Sequence, residues 1–165
     1  MDKDTGSIRS YRDLEVWRKA MELAQKCYEL TADFPKREVY GLASEIRRAA
    51  VSIASNIAEG HSRRTRQAYL NHLSIALGSQ SEVETQIDLS CRLGVISKQS
   101  ADEILLMAGE VGRMLHGLVA SLQRATEERS FPGRSKDGRR SDELREDKER
   151  IGQWRCGIIQ NLKPP

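Results

Sequence analysis

The chain has 165 residues, with 27 Lys+Arg against 24 Asp+Glu and a net charge of +3. That length suits one domain with a tail. Residues 1–125 carry 17 basic against 16 acidic side chains, and residues 126–165 carry 10 against 8, which excludes the broad basic footprint of a dedicated nucleic-acid-binding domain. Three scattered cysteines, Cys27, Cys91 and Cys156, form no CxxC pair and so argue against a disulfide framework or a zinc site. No apolar run reaches the roughly 20 residues of a membrane span. The acidic, polar start MDKDTGSIRS is unlike a signal peptide, so the expectation is a reduced, cytoplasmic, soluble protein.

Apolar residues recur every three or four positions almost throughout, which predicts helices and no strands. After an N-terminal arm (1–10), the first helix runs from Tyr11 to about Asp33. Leu14, Trp17, Met21, Ala24, Tyr28 and Thr31 share its inner face, Ser10 and Asp13 form a capping box at its start, and Phe34-Pro35 closes it. The second runs from about Glu38 to Glu59 through Leu42, Ile46, Ala49, Ile53 and Ile57, with Gly60 expected as a left-handed stop. The third runs from about Thr65 to Leu93 and ends at Gly94. The fourth runs from about Ser97 to Ala125 through Ile104, Ala108, Val111, Leu115 and Leu118. Short links between four long helices predict an all-α, antiparallel up-down-up-down bundle over 11–125. Residues 126–165 are rich in charge and turn formers, predicting a largely disordered tail. Trp154, Ile158, Ile159 and Leu162 offer that tail a docking segment for a protein partner.

The second helix carries an apolar arc of about 200°, twice what one buried stripe needs. Its clear wet face is Ser44, Arg48, Ser52, Ser55 and Glu59. Two adjacent neighbours in a lone bundle could cover the excess, and an oligomer interface accounts for it at least as well. The oligomer is preferred because the extra patch around Ala43, Val51, Ala54 and Ala58 permits close backbone approach. Arg47 falls within that patch and needs a partner, since an unpaired buried charge is costly. Glu84, which lies with Gln80 on the apolar stripe of the third helix, is the natural carboxylate, within the chain or across subunits. Ser74, Gly78, Ser81 and Thr85 form a stripe of small residues suited to close helix packing.

Positive charge gathers in residues 36–66, with seven basic side chains against three acidic ones. Arg63, Arg64 and Arg66 share the turn into the third helix, where arginine forks and helix-terminal N–H groups suit phosphate oxygens. With Arg48 they are the predicted nucleic-acid contacts. No aromatic platform for base stacking stands beside them, so the expectation is limited to the sequence-independent backbone. Catalytic motifs, metal-ligand spacings and cofactor fingerprints are absent from the sequence, and His61, His72 and His116 show no ligand spacing; no enzyme, cofactor or metal site is expected.

DLEVWRKAMELA (13–24), YGLASEIRRAAVSIASNIAEG (40–60), YLNHLSIALGSQSEVET (69–85) and LGVIS (93–97) together resemble the four-helix-bundle family first noted as reading frames within intervening sequences of bacterial 23S ribosomal RNA genes. The resemblance covers residues 11 to about 122. It implies a non-enzymatic bundle that assembles with itself as a homopentamer. The related accessory variability protein of diversity-generating retroelements implies RNA or other nucleic acid as a partner. Arg47, Arg48, Asn56, Glu59 and Gly60 match the family's second-helix motif, and Gly78, Ser79 and Glu82 match its Gly-Ser-x-x-Glu. With Ala54, Gln80 and Glu84 these are the expected packing positions, Arg48 excepted. Gln80 replaces a usually apolar residue, and His61-Ser62 replaces an aromatic-glycine pair.

Overall fold

The computed structural model describes residues 9–38 and 40–130, with side chains described through residue 124. The tail segment 131–165, with its Trp154–Leu162 stretch, lies outside the described residues, as do residues 1–8 of the N-terminal arm. Four α-helices form the fold: α1 Glu15–Ala32, α2 Leu42–His61, α3 Arg66–Arg92 and α4 Lys98–Ser130. The described residues contain no strand, so the all-α bundle expected from the periodicity is what the chain builds.

The capping box is present, but it caps a short 3-10 turn, Tyr11–Asp13, that precedes α1. Asp13 Oδ2 accepts from the backbone N–H groups of Arg9 and Ser10 at 3.0 and 2.9 Å. These hold the Asp13 carboxyl below its ordinary value, the Ser10 bond having the larger effect. A second 3-10 turn, Lys36–Glu38, delays α2 to Leu42, four residues later than the spacing predicts.

Thr65 caps α3, its Oγ1 accepting from Ala68 N at 3.3 Å. Gly94, at φ +70°, ends α3. Val95 N–H reaches Ser90 O at 2.9 Å and Gly94 N–H reaches Cys91 O at 3.0 Å, a Schellman closure that requires the left-handed glycine. Ser97 Oγ accepts from Ser100 N at 3.1 Å and opens α4, which continues past the expected Ala125 to Ser130.

Each helix sends one stripe to a common core. Leu23 and Cys27 come from α1, Ile46, Ile53 and Ile57 from α2, Leu73, Val83 and Ile87 from α3, and Ala108, Val111 and Leu115 from α4; all are buried. Full burial of each large aliphatic side chain contributes about 1.5–3 kcal/mol before ordering costs. Burial pushes the Cys27 thiol up to about 12. The segment Lys98–Arg124 is long and apolar enough to cross a membrane by length and composition, contrary to the sequence expectation, and it sends Ala101, Ile104, Ala108, Val111 and Leu115 into the core.

Cross-helix contacts fix the directions. Arg47 on α2 meets Tyr28 and Thr31 near the end of α1. Ser52 and Asn56 on α2 meet Ser79 and His72 on α3 in reversed order. The ammonium groups of Lys19 and Lys26 on α1, raised first by hydrogen bonds to Glu22 and Glu29 on their own helix, also feel Glu110 and Glu103 on α4, again in reversed order. Sequential helices and the α1–α4 pair are thus antiparallel.

Candidate nucleic-acid interface

The link between α2 and α3 is short and tightly bonded. Ser62 N–H reaches Ala58 O and Glu59 O at 3.2 and 3.1 Å, and Arg63 N–H reaches Gly60 O at 3.1 Å. Arg63 and Arg64 are exposed on this link, and Arg66 is half-buried as the first residue of α3. The first turn of α3 holds no acidic residue, so the cations there add to the positive end of the helix dipole.

Arg48 does not join them. At 1.5 Å per residue it sits about 20 Å back along α2 from His61, the last residue before the turn. Its Nη2 pairs with Glu45 Oε2, and the Glu45 hydrogen bond raises the Arg48 value further. The four arginines predicted as one contact set therefore fall into two places, and the turn trio is the coherent cluster.

Arg47 departs from the sequence expectation more sharply. Its Nε donates to Thr31 Oγ1 at 2.7 Å, and its guanidinium lies 5.0 Å from the Tyr28 ring centroid. A hydroxyl and an aromatic face, not Glu84, are its partners within the chain. Glu84 is half-buried on α3 and forms no ion pair among the described residues.

Gly60 is also corrected. It does not stop α2 in a left-handed conformation, since α2 runs through it to His61 and Gly94 holds the sole positive φ among the described residues. Its missing side chain serves the crossing with α3: a Cβ there would stand 2.6 Å from Tyr69 Cδ2 and 2.9 Å from His72 Cβ. Below that crossing a chain of polar contacts binds the two helices. Arg63 Nε donates to His72 Nε2 at 3.1 Å. His72 Nδ1 lies 3.1 Å from Asn56 Oδ1, Asn56 Nδ2 donates to Ser52 O at 2.9 Å, and Ser52 Oγ meets Ser79 Oγ at 2.8 Å. Glu59, exposed, places Oε2 3.7 Å from His72 Nδ1. Asn56, Glu59, Gly60 and Ser79 thus act together. His72, which spacing alone did not single out, is their centre; the signal for it was Ser52 and Asn56 one turn apart on the side of α2 that faces α3.

Tyr69 packs edge-on to His61, with ring centroids 6.1 Å apart. Among the described residues its hydroxyl is buried without a hydrogen-bond partner, and burial pushes its value up. Gln80 is buried and donates through Nε2 to Ala108 O at 3.2 Å, so this polar departure in the core stripe is satisfied by the backbone of α4. Glu82 is exposed on α3. Gly78 is exposed too, with nothing within 4 Å of an added Cβ, so among the described residues the stripe of small residues packs against no helix. Ala54 is buried and lines an open groove of about 550 Å³ between α1 and α2 with Trp17, Met21, Tyr28, Val51 and Ala58. Met21, Tyr28 and Val51 remain 45, 48 and 43% exposed there. Most of the wide apolar arc on α2 is covered by its own neighbours, and Val51 is the part left open. No cluster of three or more metal-ligating side chains occurs among the described residues.

No curated protein matches the chain. A 1.70 Å crystal structure of a protein of unknown function from the S23 ribosomal protein family of Bacteroides thetaiotaomicron is similar in fold, with a TM-score of 0.60 and 24% identity. That likeness covers 64% of this chain and 95% of the other. Residues 12–117 match the family described as 23S rRNA-intervening sequence protein. The match takes in the whole of α1, α2 and α3 and much of α4, and on that extent the chain belongs to the 23S rRNA-intervening sequence protein family.

Proposed function

We propose that the chain is a non-enzymatic, self-associating four-helix protein that holds the phosphate backbone of RNA or another nucleic acid at its α2–α3 turn. The observation that carries this is the exposure of Arg63 and Arg64 on a bonded link that feeds the N-terminus of α3. Guanidinium forks and helix-terminal N–H groups suit phosphate oxygens, and such contacts need no base readout. Self-association is supported by the open groove between α1 and α2, where Met21, Tyr28 and Val51 leave apolar surface uncovered. The homopentamer implied by the resemblance gives the expected copy number.

The test is a titration of fluorescein-labelled single-stranded RNA at several salt concentrations. Binding should weaken linearly in log–log terms. R63A/R64A should reduce the salt slope by about 1.4, at roughly 0.7 per phosphate contact on a single strand. Salt-independent binding, or a slope unchanged in the double variant, refutes the turn as the contact. Light scattering on the full chain reports the copy number, and a monomer refutes self-association.

A further inference from the structure

The hydrogen-bond chain at the α2–α3 crossing ends on one of the turn arginines, and its geometry fixes where its protons are. Every guanidinium N–H is a donor, so the nitrogen that Arg63 Nε approaches at 3.1 Å, His72 Nε2, must present a lone pair. His72 Nδ1 then carries the proton and donates to Asn56 Oδ1 at 3.1 Å. In this arrangement the Nε2 lone pair of His72 points at Arg63 and its Nδ1–H at Asn56. Its side chain is 17% exposed, so the ring is oriented by packing as well as by bonds. Among the described residues the charged groups in bonding range of it are Arg63 from the turn and Glu59 from α2, with Oε2 3.7 Å from Nδ1. The uncharged Asn56 completes the α2 side.

We propose that Arg63 and His72 form a proton-coupled phosphate clamp that is latched on itself when the site is empty. This rests on the turn being the phosphate-contacting surface. A proton on His72 Nε2 removes the acceptor that holds Arg63, leaving two cationic donors facing each other. Arg63 swings outward, and a phosphate oxygen enters to accept from both. One proton is taken up from solvent per phosphate bound, and no covalent bond changes. Asn56 Oδ1 goes on accepting from Nδ1–H, and the Glu59 carboxylate steadies the imidazolium from the same side. With the ring neutral, Arg63 is engaged through Nε and offers solvent only its terminal nitrogens, so the grip is weaker. An imidazole ordinarily changes charge between about pH 5 and 8, and the pH series of the test covers most of that interval.

The experiment measures anisotropy of a fluorescein-labelled 20-nucleotide single-stranded RNA with the full chain, from pH 8.0 to 5.5 at fixed ionic strength. Affinity should rise by about tenfold per pH unit over the span in which one linked proton is taken up. H72Q should flatten that dependence, E59Q should reduce it, and H61Q should leave it in place. Because a variant could disturb the helix crossing, the unaltered protein gives a second measurement. Ring NMR of His72 should show its titration midpoint moving to higher pH on addition of inorganic phosphate. A flat profile in the unaltered protein, a profile that persists in H72Q, or a midpoint that ignores phosphate overturns the clamp. RNA binding that is salt-sensitive but flat in pH overturns the clamp alone. Absence of RNA binding at every pH overturns both the clamp and the proposed function.

Discussion

Replacing Gly60 by alanine adds a methyl group where α2 and α3 cross. In an open helix that change is favourable by about 1 kcal/mol, because alanine loses less backbone freedom on folding. At Gly60 the methyl would stand 2.6 Å from Tyr69 Cδ2 and 2.9 Å from His72 Cβ. The tyrosine ring can tilt, but a Cβ moves only with its backbone, so α3 itself must give way by most of an ångström. Overpacking of that kind costs about 1–3 kcal/mol, occasionally more, and it should outweigh the helix gain to leave G60A destabilised by about 1–2 kcal/mol. G78A is the internal control, since its methyl meets nothing within 4 Å; it should stabilise by up to about 1 kcal/mol. Urea unfolding followed by circular dichroism measures both, with the two midpoints moving in opposite directions. A G60A protein as stable as its parent would refute the close crossing. A destabilised G78A would refute the open face assigned to that side of α3.

Other outcomes follow from the same geometry. Q80L removes one hydrogen bond to an α4 carbonyl that its own helix already satisfies and adds apolar contact in the core. It should stabilise by about 1 kcal/mol, and a destabilised Q80L in thermal unfolding would show that the bond to Ala108 holds the two helices together. The Cys27 thiol, buried and pushed up to about 12, should react with maleimide only as fast as the protein opens; peptide mapping that finds it labelled as fast as free thiol contradicts its burial. Asp13 is held below its ordinary value by the backbone N–H groups of Ser10 and Arg9. Its stabilising contribution is therefore present above its unfolded value and is lost as pH falls through the depressed folded one. The stability difference between the parent and D13N should accordingly shrink on acidification, and a constant difference would refute the capping role.

The helices were legible because burial imposes a period, and Ile46, Ile53 and Ile57 display it whatever surrounds them. The caps at Ser10 and Gly94 were legible because they act within a few residues of themselves. Gly60 was not, since a left-handed stop and a close crossing call for the same residue and differ only in what lies opposite. A wheel puts Arg47 in the alanine-rich patch of α2, yet it cannot rank a hydroxyl and an aromatic face on α1 above a carboxylate elsewhere. The chain from Arg63 to Ser79 escaped the sequence because it depends on axial register, and a shift of one residue between α2 and α3 would separate Asn56 from His72 and Ser52 from Ser79. The tail segment Trp154–Leu162 lies outside the described residues.

Register also gives the lysines of α1 a significance larger than their energies. Lys19 and Lys26 stand two turns apart, as do Glu103 and Glu110 on α4, so the two helices carry matching rulers with opposite marks. Slide α4 one turn in one direction and Lys19 meets the neighbourhood of Arg113 while Lys26 meets Leu106 and Met107. Slide it the other way and Lys19 faces Leu106 and Met107 instead. Exposed pairs of this kind contribute little to stability, and a stripe of alanine, valine and leucine would tolerate several alignments. Lys19 and Lys26 are bonded first to Glu22 and Glu29 on their own helix, and the α4 carboxylates add to that a longer-range preference for the observed alignment over its neighbours.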